Sequence, residues 1–240
     1  MGLFNFFTQE IAMDLGTANT LIIHNDEVVV NEPSIIALNR NNMKEVLGVG
    51  KKALLMHEKT HESIKTVRPL KDGVIADFNA AELMIRELMK MIYPKKPLFP
   101  PSWRMVICIP SSITEVEKRA VRDSAEQAGA KEVYMIHEPM AAALGIGIDV
   151  EEPVGNMIID IGGGTTDVAV ISLGGIVAST SVKYAGNKID RAITDYLKRM
   201  YGLSVGDQSA EDIKKTLASA LPVTPDVSGE IKGRDIVDRK

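Results

Sequence analysis

Short apolar runs separated by Asn, Asp and Gly dominate the first fifty residues of the chain. They begin with Ile11–Leu15 and end with Val46–Val49, and their length and spacing predict a β meander. A second succession of such runs starts at Asn156. Residues with a helical period predict helices at Asn79–Tyr93, Thr114–Ala128, Pro139–Leu144, Ile189–Tyr201 and Ala210–Ala220. Strands followed by helices, twice over, predict an α/β protein with two similar halves.

One motif occurs once in each half. Residues 11–20 read IAMDLGTANT, and residues 157–166 read MIIDIGGGTT. Each segment has an apolar strand, then Asp14 or Asp160, an aliphatic residue, glycine, small residues and a hydroxyl. Such a repeat indicates internal duplication. Two glycine turns from two halves could face each other across a cleft that holds a small, anion-rich ligand.

The composition of both turns suits phosphate binding. Glycine lets the backbone approach a ligand closely, and successive backbone N–H groups can form an anion-binding nest. The acids Asp14 and Asp160 are placed to hold a hydrated Mg²⁺, which needs few direct carboxylate ligands. The alternative is that both segments are ordinary hairpin turns and each Asp a turn former. Two copies with matched acids favour the phosphate interpretation. The predicted loop residues are Gly16, Thr17, Ala18, Asn19, Gly162, Gly163, Gly164, Thr165 and Thr166.

Composition excludes several other classes. The chain has 240 residues and a net charge of −4, which argues against a protein that binds nucleic acid by bulk electrostatics. The first basic residue is Arg40, so the apolar N-terminus is not a secretory signal, and a cytoplasmic protein is expected. The one cysteine, Cys108, lies in an apolar run and is expected to be a buried, inert thiol. An aspartic protease is disfavoured because Leu15 and Ile161 stand between Asp and Gly, where its hydroxyl would be.

Three segments together resemble the MreB family of bacterial actins, within the actin/heat-shock-ATPase/sugar-kinase superfamily. They are residues 14–20 (DLGTANT), 67–77 (VRPLKDGVIAD) and 137–143 (HEPMAAA). The resemblance covers essentially the whole chain. It implies an actin-like α/β fold with two duplicated halves around a nucleotide cleft. The implied subdomains are residues 1–32 with 73–145, residues 33–72, residues 146–182 and residues 183–240.

The resemblance also implies roles for individual residues, with ATP and Mg²⁺ as ligands. Glu138 and Thr165 match residues that position the hydrolytic water, and Asp14 and Asp160 match acids that hold Mg²⁺ through water. Glu138 could instead be a helix N-terminal charge beside Pro139. The segment implied to contact ribose and base is Glu211, Asp212, Ile213 and Lys214, and Asp190 is implied to be a further nucleotide-binding residue. For Glu211 and Lys214 a surface ion pair is the alternative.

Two apolar tips are candidates for membrane contact. Leu3, Phe4 and Phe7 fall on one helical stripe before the first strand. Leu98 and Phe99 lie in a proline-rich segment where the resemblance implies a loop that enters the cytoplasmic leaflet. The sequence therefore predicts a peripheral protein on the inner membrane.

The resemblance implies a slow Mg²⁺-dependent ATPase whose filaments direct cell-wall synthesis and maintain rod shape. Its expected partners are further copies of itself, the membrane and cell-wall synthesis and shape proteins. A soluble small-molecule kinase or a chaperone-type ATPase of the same superfamily is the alternative. No adenosine motif follows Gly164, so the second half is expected to be incomplete and the chain truncated. Such a chain should aggregate and bind ATP weakly.

Overall fold

The computed structural model of this chain describes residues 8–57, 59, 62–93, 101–222 and 227–236. The chain folds into two compact units that divide between Lys183 and Tyr184. The strands of the first unit are β1 (Thr8–Leu15), β2 (Asn19–His24), β3 (Glu27–Pro33), β4 (Ile36–Asn39), β5 (Asn42–Val49), β6 (Ile64–Val67), β7 (Leu70–Lys71), β8 (Val74–Ile75), β9 (Ser102–Ile109), β10 (Ala130–His137), β11 (Asn156–Ile161), β12 (Thr166–Ser172) and β13 (Gly175–Val182). Its helices are α1 (Lys51–Leu54), α2 (Phe78–Ile92), α3 (Glu115–Gln127) and α4 (Glu138–Gly145).

A five-stranded sheet in the order β10-β9-β1-β2-β3 forms the centre of the first unit. Strand β1 pairs antiparallel with β2 and parallel with β9, and β9 is parallel to β10. The carboxyl ends of β1, β9 and β10 therefore lie at one edge of the sheet. In sheets with parallel strands, this edge is where ligands bind.

Helices α2 and α3 cover the central sheet because each presents an apolar face and has a well-formed N-terminus. Asp77 accepts a hydrogen bond from the Ala80 N–H at 3.0 Å and caps α2. Thr114 and Glu117 form a capping box at the start of α3. The core that results includes Ile11, Met13, Leu15, Met84, Ile85, Leu88, Val121 and Ala125.

Smaller sheets flank the central one. Strands β5, β4 and β6 form a three-stranded sheet, and β7 pairs with β8 in a hairpin. The small sheet packs against α1 through buried Ile35, Ala37 and Ala53. The turn between β7 and β8 contains Asp72 and Gly73, and it reaches the first glycine turn of the sequence repeat.

The second copy of the motif opens a three-stranded antiparallel meander, β11-β12-β13. One face of this meander packs on α4 through Ile158, Ile171 and Ala143. The opposite face exposes Met157, Ile159 and Ile161, which are 59–67% accessible to solvent. The matching residues in the first half are Ile11, Met13 and Leu15, and their accessibility is 5% or less. The two halves share a motif but differ in what covers it.

The second unit contains α5 (Gly186–Tyr201), β14 (Leu203–Ser204), α6 (Asp207–Leu217) and β15 (Arg234–Asp235). The sequence predicted that the last helix would extend to Ala220, which is wrong. Helix α6 ends at Leu217, and Ala218 is extended with ψ 139°. The Ser219 hydroxyl accepts a hydrogen bond from the Leu221 N–H at 3.3 Å, and this local turn competes with helix continuation. No helix within the described ranges is both long and apolar enough to cross a bilayer.

Candidate functional site

The two glycine turns and the start of α4 line one cavity of about 330 Å³ in the first unit. The loop and acid residues of the sequence repeat, more than a hundred positions apart in the chain, meet here. Thr166 does not line the cavity, because it is already the first residue of β12. The predicted site residues that line it are Asp14, Gly16, Thr17, Ala18, Asn19, Glu138, Asp160, Gly162, Gly163, Gly164 and Thr165.

Close packing explains why glycine stands in both turns. A Cβ at Gly164 would lie 2.7 Å from the Thr17 Oγ1 and 3.0 Å from the Asp72 Cα, so no side chain fits there. A Cβ at Gly16 would lie 2.6 Å from the carbonyl oxygen of Asn19. The Gly73 N–H donates to the Thr17 Oγ1 at 2.9 Å. The two turns and the β7–β8 turn thus form one tightly packed wall of the cavity.

Several carboxylates lie close together at this cavity. Burial and the charges of neighbouring acids raise the pKa values of Asp14, Glu138 and Asp160. Burial raises the pKa of Asp14 above its usual range, and the charge of Asp160 raises it further. Asp14 keeps solvent access through the cavity mouth, but the cavity walls remove much of its hydration. Burial and the neighbouring Asp167 likewise raise the pKa of Asp160. The site is therefore electronegative and favours a bound cation.

Glu138 has the largest shift among these acids. Burial, together with the charges of Asp14, Asp167 and Asp160, raises the pKa of Glu138 to about 8. Its backbone opens α4, where an acid in the first turn also complements the helix dipole. Both interpretations of Glu138 from the sequence are compatible with this position. A carboxylate that lines such a cavity is suited to orient a water molecule.

Cys108 departs from the sequence interpretation. The prediction was a buried, inert thiol, whereas the structure shows a half-buried one. Its pKa is raised to about 12, first by burial and then by Asp14, Glu138 and Asp160, which agrees with an unreactive thiol. Those carboxylates come from distant parts of the chain, so nothing adjacent to Cys108 in sequence indicates them. Cys108 lines the cavity floor as a neutral thiol.

Sequence reasoning missed Asp167. This residue is 1% accessible and lies on β12 directly opposite Asp160. Its Oδ1 accepts a hydrogen bond from the Ser111 N–H at 3.0 Å, and its Oδ2 accepts one from the Ser181 hydroxyl at 3.2 Å. A comparison of the two repeats at this position, where the first half has Leu21, is the sequence signal that could have identified it.

The residues implied to contact the nucleotide outside the glycine turns lie in the second unit, and their side chains contact other residues of that unit. Lys214 Nζ forms an ion pair with Asp190 at 2.8 Å and donates to the Gly186 carbonyl oxygen at 3.2 Å. Glu211 pairs with Lys215 at 2.7 Å, whereas an ion pair with Lys214 was the sequence alternative. Asp212 accepts a bond from Gln208, and Ile213 lines an apolar cavity of about 830 Å³ within this unit.

The predicted membrane residues Leu3, Phe4, Phe7, Leu98 and Phe99 lie outside the described residues. Trp103, which follows the second tip in sequence, is buried, and its ring stacks on Tyr93 at 5.8 Å between centroids.

The donor set fits Mg²⁺ that is held through its waters. No group of three or more His, Cys, Asp or Glu side chains in the described part of the chain is close enough to hold a metal directly. Mg²⁺ usually keeps several waters and needs one or two carboxylates, which Asp14 and Asp160 offer beside the glycine turns. A bound divalent cation would neutralise the acids and lower the raised pKa of Glu138.

The raised pKa of Glu138 predicts how the stability of the nucleotide-free chain depends on pH. The folded state binds this proton more tightly than the unfolded state, so the contribution is complete below pH ~4.5 and is lost as pH rises through about 8. In EDTA the parent should therefore melt several degrees lower at pH 9 than at pH 6, while Glu138→Gln should show a smaller decline. Thermal melts of both proteins, with Glu126→Gln on the exposed face of α3 as control, measure this. Equal slopes for parent and Glu138→Gln would contradict it.

Comparison with known proteins identifies the family of this chain. Residues 8–239 match the sequence model of a family described as "MreB/Mbl protein". The chain belongs to this family. It is 47% identical over 232 residues to the cell shape-determining protein Mbl of Bacillus subtilis, a match that covers 96% of this chain and 69% of Mbl. It is 44% identical over 236 residues to the cell shape-determining protein MreB of Escherichia coli. This match covers 97% of this chain and 68% of MreB.

Solved structures of MreB/Mbl proteins confirm the actin-like fold. MreB5 of Spiroplasma citri bound to ADP superposes with a TM-score of 0.88 at 41% identity, over 97% of this chain and 69% of that one. The same protein bound to AMPPNP superposes with a TM-score of 0.87 at 42% identity, with the same coverage of both chains. The MamK double helical filament, at 20% identity and a TM-score of 0.72 over 88% of this chain and 65% of that one, shares the fold alone.

Proposed function

We propose that this chain binds Mg²⁺–ATP in the cavity of the first unit, hydrolyses it slowly and assembles into membrane-associated filaments. These filaments would direct cell-wall synthesis and maintain rod shape. The observation that carries the proposal is the convergence of Asp14, Asp160, Glu138 and two glycine turns on one small cavity. The ADP-bound and AMPPNP-bound structures of a 41–42% identical relative support nucleotide as the ligand.

Each part of the cavity has a proposed task in the reaction. The backbone of both turns binds the phosphates, and Thr17, Asn19 and Thr165 add side-chain donors. Asp14 and Asp160 would hold Mg²⁺ through water, and the ion would supply charge neutralisation at the phosphates. Glu138 then orients the attacking water, with Thr165 as its partner. In phosphoryl transfer, such positioning and charge stabilisation do most of the catalysis.

Four residues of the second unit keep the role in nucleotide contact that the family resemblance implies. Glu211, Asp212, Ile213 and Lys214 would contact ribose and base. Lys214 is held by Asp190 and the Gly186 carbonyl oxygen, so its ammonium group has a fixed position at the start of α5. The proposed subdomain division remains 1–32 with 73–145, 33–72, 146–182 and 183–240.

Sedimentation with ATP and liposomes tests the proposed function against its alternatives. A filament protein should pellet more completely with Mg²⁺–ATP and lipid than with either alone. Transfer of the γ-phosphate to a sugar would identify a small-molecule kinase and contradict the proposal. ATP-stimulated binding of an unfolded peptide without pelleting would identify a chaperone-type ATPase. Electron microscopy of the pelleted material distinguishes filaments from amorphous aggregate.

Membrane binding is predicted to depend on both apolar tips. Burial of each Leu or Phe side chain in lipid contributes about 1.5–3 kcal/mol, and a filament multiplies such weak anchors. Replacing Phe4, Phe7, Leu98 and Phe99 by serine should therefore release the chain from liposomes. Flotation with anionic vesicles measures the bound fraction, and far-UV circular dichroism checks folding. Undiminished flotation of the folded variant would refute this prediction.

A further inference from the structure

Asp167 is an acid that the repeated fold does not require. In the antiparallel pair β11–β12 its direct partner is Asp160, while in the matching pair β1–β2 the partner of Asp14 is Leu21. Like charges directly opposite each other in a sheet are destabilising. The first half forms the same turn with an apolar residue at this position. The buried second acid therefore needs an explanation other than the fold of the hairpin.

Two hydrogen bonds connect Asp167 to the loop after β9 and to strand β13. Its Oδ1 accepts from the backbone N–H of Ser111, which follows β9 in the central sheet, while its Oδ2 accepts from Ser181 on β13. The Ser111 Oγ has no hydrogen-bond partner in the described part of the chain, so the polar contact of this residue with Asp167 runs through its backbone N–H. Asp167 thus joins the meander of the second half to a loop of the first half, within the first unit.

The same loop also contacts the residue before Glu138, at the start of α4. Pro110, the neighbour of Ser111, accepts a hydrogen bond through its carbonyl oxygen from the Nδ1 of His137 at 3.3 Å. His137 is the N-cap residue of α4 and immediately precedes Glu138. A continuous series of contacts therefore runs from Asp167 through Ser111, Pro110 and His137 to Glu138.

We propose that Asp167 is a positioning residue, which fixes the loop at Pro110–Ser111 and thereby holds Glu138 at the distance from the second glycine turn that hydrolysis needs. This inference rests on the proposed ATPase function and extends it. Asp167 acts through its hydrogen bond to Ser111 and does not touch the reacting atoms. Its negative charge is then dispensable, provided that an oxygen acceptor remains.

Two substitutions separate the acceptor from the charge. Asp167→Asn retains an oxygen for the Ser111 N–H, and its amide can donate to the Ser181 hydroxyl. Asp167→Leu copies the residue of the first half and removes the acceptor, so the Ser111 N–H and the Ser181 hydroxyl lose this partner. Asp195→Asn, an exposed acid on α5, is the matched control. ATP affinity is measured by calorimetry at millimolar nucleotide, turnover by phosphate release, and the Ser111 amide by hydrogen exchange.

We expect Asp167→Leu to lower kcat by about tenfold to a hundredfold, since a small displacement of a catalytic group has effects of this size. Its ATP affinity should change less than about threefold, and its Ser111 amide should exchange faster. Asp167→Asn should restore most of the turnover and the amide protection. If Asp167→Leu does not fold, Asp167→Asn still decides, because the proposal requires it to keep at least about a third of the parent kcat.

The outcomes distinguish this inference from the function on which it rests. Parent turnover in Asp167→Leu, or a kcat in Asp167→Asn as low as in Asp167→Leu, would overturn the positioning role alone. The second result would mean that the charge itself acts in the reaction. A parent chain that neither binds nor hydrolyses ATP at millimolar nucleotide would overturn the proposed function, and the inference with it.

Discussion

Replacing Asp160 by alanine should abolish Mg²⁺-dependent ATP hydrolysis by the 240-residue chain. Asp160 and Asp14 end the first strands of the two repeats and line the same cavity, so the change leaves one acid to hold the hydrated cation. Loss of a single preorganised electrostatic group typically lowers turnover by about 10²–10³-fold. Phosphate release at saturating Mg²⁺–ATP measures the effect.

Misfolding should not explain this loss of activity. Asp160 lies opposite Asp167, and burial together with that neighbouring charge raises its pKa. Its removal therefore relieves repulsion in the nucleotide-free protein, and the melting temperature of Asp160→Ala should equal or exceed that of the parent. Glu138→Gln is the companion variant, and it should still bind ATP while its hydrolysis slows. Turnover of Asp160→Ala at the parent rate would show that the cation is held elsewhere.

The sequence was sufficient to predict the residues that the two halves share. Asp14 and Asp160 follow apolar strands at identical positions in a ten-residue repeat, and glycine follows each two residues later. Local chemistry determines such a turn, because the acid ends a strand and glycine allows close backbone packing. The structure accordingly brings both turns to one cavity. The capping box of Thr114 and Glu117 was predictable for the same reason, since it depends on neighbours within one helical turn.

Features that depend on contacts between distant segments were not predictable in this way. The high pKa of Cys108 and of Glu138 arises from burial and from acids on other strands, and nothing adjacent in sequence indicates either. Asp167 was not predicted because the repeat identifies only residues that the two halves share, and the first half has Leu21 at this position. The end of α6 was missed because alanine at positions 218 and 220 favours a helix, while the Ser219 turn opposes one.

The difference between the halves extends to their surfaces. Ile11, Met13 and Leu15 on β1 belong to the core under α2 and α3. Their counterparts on β11 are Met157, Ile159 and Ile161, all largely exposed. Helix α4 and the residues that follow it pack on the meander, but they cover the opposite face. An apolar sheet face of this kind favours association, since burial of apolar surface contributes about 25 cal/mol per Å².

The 240-residue chain should accordingly self-associate through this face in the absence of nucleotide. Replacing Met157 and Ile159 by threonine removes apolar surface but keeps residues that suit a strand, so the variant should remain folded and shift towards monomer. Size-exclusion chromatography with light scattering at micromolar protein measures the average mass. The control is Val116→Thr, a 79% exposed and isolated apolar residue on α3, which should leave the mass unchanged. A parent that is monodisperse and monomeric across this concentration range, and that binds ATP tightly by calorimetry, would show that the exposed face does not drive association.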